Sequence, residues 1–207
     1  MTDPQKIDFT MMYVTHAALR RDVGRFASAV AAGRAASSAV RAGWENFKDQ
    51  LEVHHTVEDD DLWPRLYAAV PDDSDERRLL EEMEAEHAVL DPMLEAVDTA
   101  LAGGDAATLG DRVDALAGAL DGHLRHEEDA ALPLVQALLT PADWAAFGAA
   151  MRRRQGLRGA AMYVPWIVDG ASAADRQRFF RMLPGPLKVA NRMVLEPRYR
   201  RLGLWAT

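Results

Sequence analysis

With 207 residues, 49% apolar and 27% charged, the chain can bury one sizeable core, and its net charge of −8 argues against nucleic acid as a partner. Cysteine is absent, which excludes disulfides, thiolate zinc sites and iron–sulfur clusters. The longest apolar run, Ala160 to Val168, is far too short to span a bilayer, and no charged-then-apolar leader opens the chain. A cytoplasmic protein without membrane contact is therefore expected. Charge is unevenly placed: residues 1–140 carry 12 Lys and Arg against 28 Asp and Glu, whereas residues 141–207 carry 12 against 4. That split predicts one unit over 1–140 and an Arg-rich helical extension over 141–207, which packs on the first unit or forms a homodimer contact.

Asp8 or Thr10 opens the first predicted helix, whose inward positions Met12, His16, Leu19, Val23, Phe26 and Val30 recur at steps of three and four. Gly33, Ser37 and Ser38 break it. The second helix carries Trp44, Phe47, Leu51, His54, Glu58 and Leu62 on one face, with Pro64 predicting a kink or an end and Pro71 to Ser74 a turn. Ser74 or Asp75 caps a third helix with Leu80, Met83, His87, Leu90 and Leu94 inward, interrupted by Pro92 and stopped by Gly103-Gly104-Asp105. A fourth carries Val113, Leu116, Leu120, His123, Glu127 and Leu134 as far as Thr140. The fold class is all-α: four such helices with short connections form an up-down-up-down bundle. Beyond Pro141 a short helix through Trp144, Phe147 and Met151 is expected, then an apolar piece from Met162 to Val168, and helices over about 172–183 and 186–201.

The chemistry lies in a repeat. His54-His55-Thr56-Val57-Glu58-Asp59 returns 69 residues later as His123-Leu124-Arg125-His126-Glu127-Glu128, and each copy is followed by a leucine and a proline (Leu62 and Pro64, Leu132 and Pro133). His16-Ala17-Ala18-Leu19 and His87-Ala88-Val89-Leu90 precede the two copies, and all six histidines lie in or beside these four places. Positions i and i+4 of a helix point the same way. His54 with Glu58 and His123 with Glu127 are therefore inward pairs, and His16 and His87 add one imidazole each from neighbouring helices. Four imidazoles and two carboxylates suit two metal ions about 3–4 Å apart; a donor set without sulfur favours iron, with zinc, manganese or a mixed Fe/Mn pair as the other choices. No catalytic residue beyond these six metal-binding positions is expected.

The order H…HxxxE…H…HxxxE over roughly residues 10–140 resembles the hemerythrin-like HHE cation-binding family. That resemblance implies a four-helix bundle around an oxo- or hydroxo-bridged pair of iron ions that meets O2, H2O2 or NO. Oxygen-carrying members place a fifth histidine on the third helix, one turn before His87, where this chain has Met83. One ion then lacks an imidazole unless Tyr13, His55 or His126 supplies a ligand. Asp59 and Glu128 enter as an extra ligand or as acceptors for imidazole N–H groups. An open coordination position favours an oxidoreductase that removes peroxide or oxidises a small organic substrate. The alternatives are an O2- or iron-binding carrier or sensor without turnover, and a structural protein that uses its basic tail to bind a partner.

Overall fold

The computed structural model describes residues 6–206, and all regular structure among them is helical. Helix α1 (Thr10–Ala31) ends at Gly33, whose φ of 68° suits a residue without Cβ. Ser37 Oγ accepts from the Val40 N–H and starts α2 (Ser38–Val57); Ser74 does the same, toward Arg77, for α4 (Asp75–Gly103). Gly104, in the left-handed region at φ 75°, closes α4, and Asp105 directly caps α5 (Ala106–His126). Pro92 sits within α4 without ending it. Among the described residues no helix is long and apolar enough to cross a membrane.

Pro64 neither ends the second helix nor leaves it regular. A π-helical turn, Glu58–Leu62, leads from α2 into the short α3 (Trp63–Tyr67), and the Trp63 N–H bonds back to the Glu58 carbonyl. The same device joins α5 through Glu127–Ala131 to α6 (Leu132–Leu138), just before Pro133. It recurs between α9 (Gly185–Ala190) and α10 (Glu196–Arg201) at Asn191–Leu195, just before Pro197. Proline lacks the N–H and its ring crowds the carbonyl four residues back. A wider turn placed immediately ahead of the ring relieves that clash without breaking the helix. Among the described residues two of the three π turns begin at Glu58 and Glu127, the acids of the repeated motif, and such turns commonly accompany functional sites.

Helix α1 packs against α2 and α5, and α4 against α5. Two apolar clusters result, one around Leu19, Phe26, Trp44, Phe47, Leu90, Leu116 and Leu120, the other around Met12, Leu62, Trp63, Leu80, Met83 and Leu132. On α1, α2 and α4 the motif histidine stands between a residue of the one cluster and a residue of the other, and past His123 the chain reaches the second cluster at Ala131, so the histidines form a polar layer between the two clusters.

The segment after Thr140 differs from expectation. Thr140 and Asp143 form a reciprocal capping box, and α7 (Pro141–Val168) runs through the whole region in which a short helix and a separate apolar piece were expected, with a break only at Gly156 (φ 61°). Phe147 and Ala150 of α7 enter one apolar cluster while Val164, Trp166, Ile167 and Val168 enter the other, so α7 lies along α1 and α2. Helix α8 (Ala173–Met182) adds Phe179 and α10 adds Tyr199 to the same core. A buried polar knot fastens this region. Trp166 Nε1 donates to Asp22 Oδ2 at 2.8 Å, Arg21 Nε lies 2.8 Å from Asp22, and Arg25 Nη1 reaches Asp169 at 2.7 Å. Asp22 is wholly buried, so these partners are what makes its charge tolerable.

Candidate metal centre

Helical periodicity brings the motif residues to one level. His16 arrives from α1, His54 and Glu58 from α2 and its π turn, His87 from α4, and His123 and Glu127 from α5 and its π turn. All six are buried, none more than 5% exposed. The imidazoles meet in two pairs, nitrogen to nitrogen: His16 Nε2 lies 3.2 Å from His54 Nε2, and His87 Nε2 lies 3.1 Å from His123 Nε2. Glu127 Oε2 is 3.0 Å from His16 Nε2. Glu58 spans both sides, its Oε1 3.2 Å from His54 Nδ1 and its Oε2 3.7 Å from His87 Nε2.

Outside this layer stand carboxylates, which can only accept. His16 Nδ1–H donates to Glu128 Oε1, His87 Nδ1–H to Asp59 Oδ1 and His123 Nδ1–H to Glu86 Oε2, each at 2.8 Å. Each bond fixes the tautomer that leaves Nε2 with a lone pair turned inward, the arrangement by which carboxylates orient imidazole ligands. Arg20 in turn braces Glu128 (Nη1 to Oε1, 2.7 Å) and Asp121 (Nε to Oδ1, 2.9 Å). Although burial alone would raise it, the bonds from His16 and Arg20 hold the Glu128 carboxyl down at about 2.

Electrostatics inside the layer are adverse for a metal-free core. Burial, followed by the charge of Glu127, pushes Glu58 well above the usual carboxyl range. Burial and then His16 hold His54 well below the usual imidazole range; burial and then His87 lower His123. His16 goes the other way, because Glu127 and Glu128 outweigh its burial. Both oxygens of Glu58, both of Glu127, and His54 Nδ1 are buried without a partner in hydrogen-bond geometry, despite their short approaches to imidazole nitrogens. Orphans of this kind cost roughly 1–3 kcal/mol each, more when charged, unless something else satisfies them.

Bound metal fits. The facing imidazole nitrogens, 3.1 and 3.2 Å apart, are close enough for one ion to be held by each couple. Donor atoms of His16, His54 and Glu127 lie within 4.8 Å of one another, as do those of His55, His87 and His123, and those of His54, His55 and Glu58. The set is imidazole and carboxylate only, which suits iron, manganese or zinc.

The other expected positions separate clearly. Tyr13, 46% exposed, is not brought into the cluster. His126 is 33% exposed and its Nδ1 is spent on Glu86 Oε1 at 2.8 Å. Asp59 and Glu128 hold imidazole N–H groups and so are accounted for. His55 is 7% exposed, with its ring stacked on His87 at 4.0 Å between centroids and 16° between planes. Glu86 was missed. It stands in the acidic run Glu81, Glu82, Glu84 and Glu86, which reads as a solvated face, and only its place one residue before His87 marked it out. Met83, where a fifth imidazole was looked for, is wholly buried in the apolar cluster.

The family model of the hemerythrin HHE cation binding domain matches residues 8–135. No curated protein and no solved structure matches the chain.

Proposed function

Since this chain belongs to the hemerythrin HHE cation-binding family, we propose that it is a non-haem di-iron protein in which His16, His54, His87 and His123 are terminal ligands and Glu58 and Glu127 bridge the ions. The observation that carries this reading is the pair of facing imidazole couples, 3.1 and 3.2 Å apart, flanked by two buried carboxylates without donors. A bound pair would satisfy the four orphaned oxygens of Glu58 and Glu127 at once. The four helices that carry the motif histidines are proposed to run up-down-up-down. In support, residues of the Met12 cluster precede the histidine on α1 and α4 and follow it at Val57 on α2 and at Ala131, in the π turn after α5. Residues 1–140 are then the metal-binding unit, and 141–207 an extension bracing α1 and α2.

An iron pair supplies reversible one- or two-electron exchange with O2, peroxide or NO. The chain's own residues hold the carboxylates and imidazoles in register, fix the Nδ1 protons on Asp59, Glu86 and Glu128, and exclude bulk water. With every proposed ligand at most 5% exposed, the site selects small oxidants over a bulky organic substrate. Removal of peroxide or reduction of O2 is the activity favoured here. The same enclosure is what favours the second reading, a carrier or sensor of a diatomic molecule without turnover.

The test is anaerobic loading with Fe(II) followed by rapid mixing with O2, H2O2 and NO. Oxidation of the iron with repeated consumption of one oxidant supports the enzyme. Reversible binding that is undone by evacuation supports the carrier or sensor. No reaction with any of the three refutes both.

A further inference from the structure

We propose that the cleft between α8 and the α9–α10 segment is a second ligand site, which takes a small phosphate ester bearing hydroxyl groups. It lies beyond residue 135, outside the stretch that matches the family model, and does not depend on the di-metal reading.

The π turns lead to it. Among the described residues each of the three begins on a buried polar side chain, Glu58, Glu127 or Asn191, and each of these stands six residues before a proline. Proline accounts for the wide turn. It does not account for what the three side chains share besides, an oxygen sealed from water with no hydrogen-bond partner. At Glu58 and Glu127 those oxygens belong to the proposed metal layer. Asn191, 1% exposed, belongs to another part of the fold, in a turn packed against α7 and α10. Its amide nitrogen faces Glu196 Oε2 at 3.4 Å. A carboxylate can only accept, so the amide is oriented and Oδ1 is the end left needing a donor.

Asn191 lines a cleft of about 440 Å3, within the roughly 300–1,000 Å3 of small-molecule sites. The walls carry four cations, Arg176, Lys188, Arg192 and Arg200, against one acid, Glu196. Glu196 occupies two of them: Arg176 Nη2 lies 2.9 Å from each of its oxygens and Arg200 Nη2 2.6 Å from Oε1. Lys188 and Arg192, four residues apart along the helix, enter no ion pair among the described residues and repel each other. In a chain of net charge −8 this is a local field that attracts an anion. A phosphate accepts from both free cations. The rest of the cleft leaves room for an organic part whose hydroxyl donates to Asn191 Oδ1, with Phe180, under the Arg176 guanidinium at 5.2 Å, as its apolar wall.

The test is calorimetric titration of the full chain with ribose 5-phosphate, inorganic phosphate and ribose. Wild type should bind ribose 5-phosphate saturably, one per chain, inorganic phosphate more weakly and ribose not at all. Lys188→Gln and Arg192→Gln, neither at a buried position, should each weaken both phosphates about tenfold or more. Asn191→Leu should weaken ribose 5-phosphate alone and bring it toward inorganic phosphate; if that variant does not fold, Asn191→Ala is judged by the same comparison. Arg178→Gln, on α8 but outside the cleft and with its side chain 62% exposed, controls for diffuse attraction and should change nothing. No saturable binding of ribose 5-phosphate to wild type would overturn the proposal. So would an equal loss in Arg178→Gln, or full affinity in both Lys188→Gln and Arg192→Gln, since the phosphate would then sit elsewhere, at the metal layer or on the basic surface at large. An unchanged preference for ribose 5-phosphate in a folded Asn191 variant would overturn the role given to Asn191.

Discussion

Replacing Glu86 by alanine separates orientation of a ligand from ligation itself. Glu86 touches no proposed ion; it accepts from His123 Nδ1 and His126 Nδ1, each at 2.8 Å, and its side chain is 34% exposed. Alanine is the best helix former, so α4 should survive the change. Loss of a carboxylate that orients a metal-bound imidazole typically lowers affinity about 10–100-fold, or ~1.4–2.7 kcal/mol. Only one of the two tethers leads to a proposed ligand, and His123 serves only one ion, so one dissociation constant should rise by that factor while the other holds. Glu82→Ala provides the control, since Glu82 is 62% exposed and stands 3.8 Å from the outer nitrogen of His126. The assay is chelator-competition titration of the metal-free variants, with circular dichroism to confirm folding. Unchanged affinities in a folded Glu86→Ala protein, or an equal loss in Glu82→Ala, would refute the role assigned to Glu86.

Trp166→Phe keeps most of the buried ring but removes the donor to the wholly buried Asp22. A loss of about 1–3 kcal/mol is expected in urea unfolding, and no loss would contradict the fastening of α7 to α1 through Asp22. Glu58 has a raised pKa in the metal-free fold, so its contribution to stability is full below about 4.5, the unfolded value, and is lost as pH rises through the folded one. Metal-free Glu58→Gln should therefore melt increasingly above wild type from weakly acidic to alkaline pH while losing metal; parallel melting curves would count against a buried ionisable Glu58. Glu128 is the opposite case, held at about 2. Its contribution is present above the unfolded value and is lost as pH falls through about 2, so Arg20→Ala should move acid unfolding to higher pH, and an unmoved acid limb would argue against the Arg20 brace.

Much of the helical pattern and of the buried histidine layer was legible because both rest on one period. His54 and Glu58, or His123 and Glu127, share a helix face by geometry alone, and the same stripe places Leu19, Phe26, Trp44 and Leu120 in the core. Capping was equally readable at Ser74, Gly104 and Thr140, where side-chain chemistry is local. What escaped depends on three-dimensional neighbours. Glu86 looks like any solvated acid until α5 sets His123 and His126 against it. His55 sits one residue off the expected stripe, and only His87 of α4, on which its ring stacks, makes that second face an interior one. The π turns have only a partial signal in the sequence: Pro64 predicts a kink or an end, whereas the chain absorbs the ring by widening the turn ahead of it. Helix α7 ran long because the apolar stretch Met162 to Val168 continues a helix already begun at Pro141, with Gly156 breaking it locally.

The most direct test is an anaerobic Fe(II) titration of metal-free wild type beside His16→Ala and His123→Ala, read by bound metal per chain. The account predicts saturation at two ions in wild type and, in each variant, weakening of the ion on the substituted side. Wild type that saturates at one ion or none, or a His123→Ala protein that retains both ions at full affinity, would contradict it.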